Sequence, residues 1–78
     1  MVKAYVLIIV DPSKTKEVVE TIRLIPEVVE SHEVMGPFDI VAEIEAQSLT
    51  DVPPILSSRI RGIPGVESTT SLVTFPDQ

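Results

Sequence analysis

Ile22-Arg23-Leu24-Ile25-Pro26-Glu27-Val28 (IRLIPEV) and Ile60-Arg61-Gly62-Ile63-Pro64-Gly65-Val66 (IRGIPGV) decide the fold of this chain. Five of the seven positions are identical at an offset of 38 residues. Each copy reads as the end of a helix, a proline stop and the start of a strand, because proline lacks the N–H that a helix interior requires. A chain that repeats this unit is built from two βαβ halves. Two such halves interleave as a ferredoxin-like βαββαβ sandwich, a four-stranded antiparallel sheet with two helices on one face.

The flanking segments supply the other elements. Val2 to Val10 (VKAYVLIIV) is rich in β-branched residues and reads as a strand. Asp11-Pro12-Ser13 breaks it, and Asp, Ser and Pro suit a helix start. A first helix is expected from about Ser13 to Leu24, with Val18, Val19, Ile22 and Ile25 on its apolar face. Val28 to Met35 reads as a second strand and Ile40 to Ala46 as a third, joined through Gly36-Pro37-Phe38-Asp39 as a hairpin. Thr50 and Asp51 are cap candidates for a second helix over about Pro53 to Arg61, whose adjacent prolines fit only its first turn. Val66 to Phe75 reads as the fourth strand, and Pro76-Asp77-Gln78 as a frayed tail.

Composition narrows the function. The chain has 78 residues, enough for one small domain. It has no cysteine and a single histidine, His32, which leaves no disulfide framework, thiolate centre or histidine metal cage. No cofactor or metal is expected. Twelve acidic residues against six basic ones give a net charge of −6, unsuited to gripping phosphates directly. The longest apolar run, Ala4 to Val10, is too short to span a bilayer, and no cleavage-site pattern follows it. A soluble cytoplasmic protein with no membrane partner is the expectation.

The hydrophobic fraction is nonetheless 44% and the mean hydropathy +0.31, high for a small domain with so much surface. The first strand explains part of this. Ala4, Val6, Ile8 and Val10 point to one face, and Tyr5, Leu7 and Ile9 to the other. With both helices on one side, the second face lies bare and exceeds what a monomer normally exposes. Pairing sheet face on sheet face, with Tyr5, Leu7 and Ile9 in a two-fold dimer interface, is the natural remedy.

The catalytic inventory is thin. Glu43 and Glu45 share one face of the third strand and can form an acid–base pair, or simply be solvated. His32 reads as a surface or interface residue. No phosphate-binding glycine motif or nucleophile elbow is present. Gly36 serves the turn, or lets backbone approach a ligand. Asp39 can accept from an ammonium group, while Thr69, Thr70 and Ser71 can hold a carboxylate. Together they would make a small zwitterion pocket.

These residues also carry a family resemblance. AYVLIIV (Ala4 to Val10), IPEVVES (Ile25 to Ser31), VMGPFDIVAEIEA (Val34 to Ala46) and RGIPGVESTTSLVTF (Arg61 to Phe75) together resemble the ligand-binding module of the Lrp/AsnC regulators, also called the regulation-of-amino-acid-metabolism domain. The Gly-x-x-Asp turn, Gly36 to Asp39, is among the most specific parts. The resemblance implies a dimeric α/β barrel that assembles further, for example into octamers. It implies an amino-acid effector bound between dimers at Gly36, Phe38 and Asp39, with Met35 and Phe38 against the effector's side chain and Thr69, Thr70 and Ser71 more loosely placed. Such regulators carry a helix-turn-helix domain for which 78 residues leave no room. The expectation is therefore a single ligand-binding and oligomerisation domain over residues 1–78. It would sense an amino acid, co-assemble with full-length regulators, or both, without direct DNA binding and without enzymatic activity.

Two other classes compete. Small ferredoxin-like barrel enzymes, monooxygenases or isomerases, need polar groups between helices and sheet, where this sequence places aliphatic residues. ACT-type regulatory domains carry their glycine turn after the first strand, where this chain has Asp11-Pro12-Ser13.

Overall fold

The two copies of the repeat fold alike, down to their hydrogen bonds. Ile25 N–H donates to the Ile22 carbonyl and Ile63 N–H to the Ile60 carbonyl, each at 3.1 Å. Val28 N–H donates to Ile25 and Val66 N–H to Ile63, again at 3.1 Å. Each proline therefore sits in a tight turn that ends a helix and launches a strand. The isoleucine before each proline is buried to the same degree, 7% exposed.

The structure is a computed structural model describing residues 1–74. Its strands are β1 (Val2–Val10), β2 (Val28–Glu33), β3 (Ile40–Ala46) and β4 (Val66–Val73). Helix α1 spans Thr15–Arg23, and α2 spans Val52–Ile55. All strand pairs are antiparallel, in the order β2-β3-β1-β4. This is the expected ferredoxin-like sandwich. No helix of the described residues is long and apolar enough to cross a membrane.

Alternation sets the layers. Ala4, Val6, Ile8 and Val10 of β1 and Ile40, Ala42, Ile44 and Ala46 of β3 are buried. They share one core with Val18, Val19 and Ile22 of α1 and with Val52, Ile55, Leu56 and Ile60 from the second helical region. Among the described residues this core contains no buried polar or charged residue.

Several boundaries differ from expectation. The first helix is preceded by a 3-10 turn, Pro12–Lys14, so the α-helix proper begins two residues late at Thr15. Asp11 caps that turn by accepting from Ser13 N–H at 3.0 Å. Strand β2 stops at Glu33 rather than Met35. Val34 N–H still reaches the Asp39 carbonyl at 2.9 Å, closing the hairpin, while Met35 is fully exposed.

The second helix departs most. It begins with a 3-10 turn, Leu49–Asp51, runs as α-helix only over Val52–Ile55, and continues as a π-helical segment over Leu56–Ile60. Arg61 N–H closes that segment on the Leu56 carbonyl at 2.9 Å, five residues back. Asp51 makes no side-chain capping bond to the helix, and Thr50 bonds Ser48 instead. Leu56 and Ile60 are both buried in the core. Strand β4 ends at Val73. Its expected end at Phe75 and the expected fraying of Pro76-Asp77-Gln78 lie outside the described residues.

Candidate functional site

The Gly36–Asp39 turn is anchored by its last residue. Asp39 N–H donates to the Ile8 carbonyl at 2.9 Å, and its Oδ2 accepts from Val10 N–H at 2.9 Å. A turn between β2 and β3 is thereby bolted to the end of β1. Among the described residues this is the carboxylate's sole hydrogen bond, and Oδ1 is left open. Gly36 has φ of +136°, a backbone that side chains rarely adopt. Nothing lies within 4 Å of where its Cβ would stand, so geometry and not crowding calls for glycine. Met35 is fully exposed, while Phe38 and Asp39 are half-buried.

The hydroxyl group of residues lies across β1. Thr69 pairs with Ile8, Thr70 with Leu7 and Ser71 with Val6, while β3 places Ile40, Val41 and Ala42 opposite the same three residues. Asp39 and the hydroxyls therefore flank β1 from opposite sides, about two strand spacings or ~10 Å apart. Thr69 and Ser71 share the helix-facing side with Ile8 and Val6, whereas Thr70 points to the open face with Leu7. The sequence-expected residues thus lie on both sides of the end of β1, and among the described residues they are not brought together.

Arg61 is the residue that spacing alone did not indicate. Its Nε donates to Thr69 Oγ1 at 3.0 Å, placing a guanidinium beside the hydroxyls. A depression of about 320 Å3 lined by Arg61, Val66, Glu67, Ser68 and Thr69 lies here. Arg61 is a repeat residue, equivalent to Arg23, and that symmetry gave no sign of a separate role.

The open face of the sheet forms rows. Glu30, Glu43, Tyr5 and Leu72 make one, and His32, Val41, Leu7 and Thr70 the next. Ile9 follows beside Ser68, and Lys3 pairs with Glu45. Tyr5, Leu7 and Ile9 remain partly accessible with no helix above them, and Leu72 is 53% exposed. Glu43 and Lys3 form an ion pair at 3.4 Å. Its hydrogen bond and charge hold the Lys3 ammonium above the usual lysine range. On the opposite face the fully buried side chains of β1 and β3 are aliphatic, and among the described residues no polar or charged residue is buried.

Fold and sequence together define a regulator's ligand-binding domain. The model described as the Lrp/AsnC ligand binding domain matches residues 3–76, and the chain belongs to that family. An HTH-type transcriptional regulator of Pyrococcus furiosus is 40% identical over 75 residues, covering 92% of this chain and 50% of that protein. The chain spans about half the length of the curated relatives it matches. Among solved structures, TTHA0845 from Thermus thermophilus has a TM-score of 0.94 at 29% identity, covering 100% of this chain and 98% of that one. The transcriptional regulator NMB0573 of Neisseria meningitidis, solved as a complex with L-Met, has a TM-score of 0.88. At 13% identity over 97% of this chain and 51% of that one, it is a likeness of fold alone.

Proposed function

We propose that this chain is an amino-acid-sensing and oligomerisation module in transcriptional regulation. The observation that carries the reading is the anchored turn. Asp39 is fixed by two hydrogen bonds to β1 while one carboxylate oxygen stays open, beside an exposed Met35 and a half-buried Phe38. An effector's ammonium group is held by Asp39, the Gly36 backbone lets it approach, and Met35 and Phe38 receive its side chain. Its carboxylate is held by the Thr69 and Ser71 hydroxyls of a neighbouring copy, with that copy's Arg61 guanidinium next to them, because one chain's Asp39 and hydroxyls stand too far apart for one amino acid. Thr70, on the open face, takes no part. Because these groups flank β1 and leave the site open in one chain, a neighbouring dimer completes it. The L-Met bound to the Neisseria regulator is consistent with this class of effector.

Two copies pair through Tyr5, Leu7 and Ile9, and the dimers assemble further into a ring such as an octamer. Burying one side chain like Leu7 is worth about 1.5–3 kcal/mol, so a few such residues hold a pair of chains together. The module acts on transcription through other chains, full-length relatives among them, since a charge of −6 disfavours direct contact with nucleic acid. Light scattering after gel filtration, with and without a mixture of the twenty amino acids, tests this assembly. A dimer or multiple of dimers whose size shifts with amino acids is expected. A monomer under both conditions contradicts the reading.

A further inference from the structure

We infer that the open sheet face selects its partner by charge. It fits a like-folded module whose face is neutral or basic over β2 and β3 better than it fits a second copy of this chain. The inference rests on the sheet-face pairing proposed above and concerns which partner that face prefers. The face divides into halves. Its β4 side carries Ser68, Thr70 and Leu72, none of them charged. Its β2–β3 side carries Glu30, Glu43 and Glu45. Lys3 is the one lysine or arginine registered on this face among the described residues, and it is already spent on Glu43 at 3.4 Å. His32 is held locally, with Nε2 3.0 Å from Glu30 Oε1 of the same strand.

Pairing two copies brings six carboxylates and two ammonium groups between the sheets. Glu43 keeps only 17% of its side chain in water before any partner arrives, so solvent screens it poorly. Desolvated carboxylates that gain no new cation oppose the association. The stripe of Tyr5, Leu7, Ile9, Val41 and Leu72 supplies the attraction, so copies still pair. A module that presents the same stripe without the carboxylates keeps the attraction and loses the repulsion, which is how unlike chains come to prefer each other.

The test mixes the full wild-type chain with a charge-swapped one, Lys3→Glu/Glu43→Lys/Glu45→Lys, which keeps the internal ion pair with its signs reversed. Native mass spectrometry then counts the dimers at equilibrium. Heterodimers above the one-half share of random pairing are expected, with the excess shrinking as salt is added. Dimers in random proportion overturn the inference and leave the pairing itself intact. Monomers only, in both chains and in the mixture, overturn the pairing as well. Should the swapped chain not fold, Glu43→Gln/Glu45→Gln serves instead. Its homodimer is expected to bind about tenfold more tightly than wild type, since two like charges per copy are gone. An unchanged or weaker homodimer overturns the inference.

Discussion

Asp39 Oδ2 accepts a hydrogen bond from Val10 N–H at 2.9 Å across 29 residues of sequence. One carboxylate oxygen thereby fixes the hairpin turn on β1, while the other has no hydrogen-bond partner among the described residues. Asp39→Ala leaves the Val10 N–H without this partner and is expected to cost about 1–2 kcal/mol. Asp39→Asn keeps an acceptor and costs less. Urea denaturation of the two variants checks the order, and equal losses would remove the anchoring role.

Gly65 and Gly36 both have positive φ, at +104° and +136°, but in different surroundings. A Cβ on Gly65 would stand 2.6 Å from Lys14 Cβ and 3.0 Å from Val18 Cγ2, and one on Gly36 would meet nothing within 4 Å. Gly36→Ala should therefore carry backbone strain alone, about 1–3 kcal/mol. Gly65→Ala adds a clash with the start of the first helical region and should cost more. Thermal denaturation of the pair measures the difference.

Ile22 and Ile60 hold equivalent places in the repeat and are both fully buried, although one lies in an α-helix and the other in the π-helical segment. Each Ile→Ala change is expected to cost about 2–5 kcal/mol through lost burial and a cavity. Leu24→Ala, at an 82% exposed position, should cost little. Urea denaturation of the three variants checks the order. A markedly smaller loss at Ile60 would mean that the π turn relaxes around the cavity.

Asp11 gives the pH dependence a sign. Its carboxyl is held below the usual carboxylate range, first by accepting the Ser13 N–H and then the Ser13 hydroxyl. The folded value lies below the unfolded one, so this stabilisation is present above the unfolded pKa and is lost as pH falls through the folded one. Asp11→Ala should be less stable than wild type at neutral pH, with the gap narrowing in acid. A gap that stays constant from neutral pH down through the carboxylate range would contradict this assignment.

The sandwich was readable from the repeat because IRLIPEV and IRGIPGV encode the same proline-stopped turn at the same place in each half. The faces of β1 and β3 followed from strict alternation. The π-helical segment was not readable, because Leu56 and Ile60 fit an α-helical stripe equally well by spacing. The candidate residues were readable as a turn and a hydroxyl run, but not their relation. Whether β1 lies between Asp39 and Thr69, and which side Thr70 faces, depends on strand order and register. The bond from Arg61 to Thr69 is tertiary for the same reason, and so is that from Val10 to Asp39.

The most direct test of the sensing role is a thermal-shift panel of the twenty amino acids against wild type and Asp39→Asn. At least one amino acid should raise the wild-type melting temperature. The gain corresponds to about 2.7 kcal/mol when the ligand is at about 100 times its dissociation constant. In Asp39→Asn that shift should be lost while the fold is kept. No shift with any amino acid at millimolar concentration, or a shift of equal size in Asp39→Asn, would contradict an effector held by the Asp39 carboxylate.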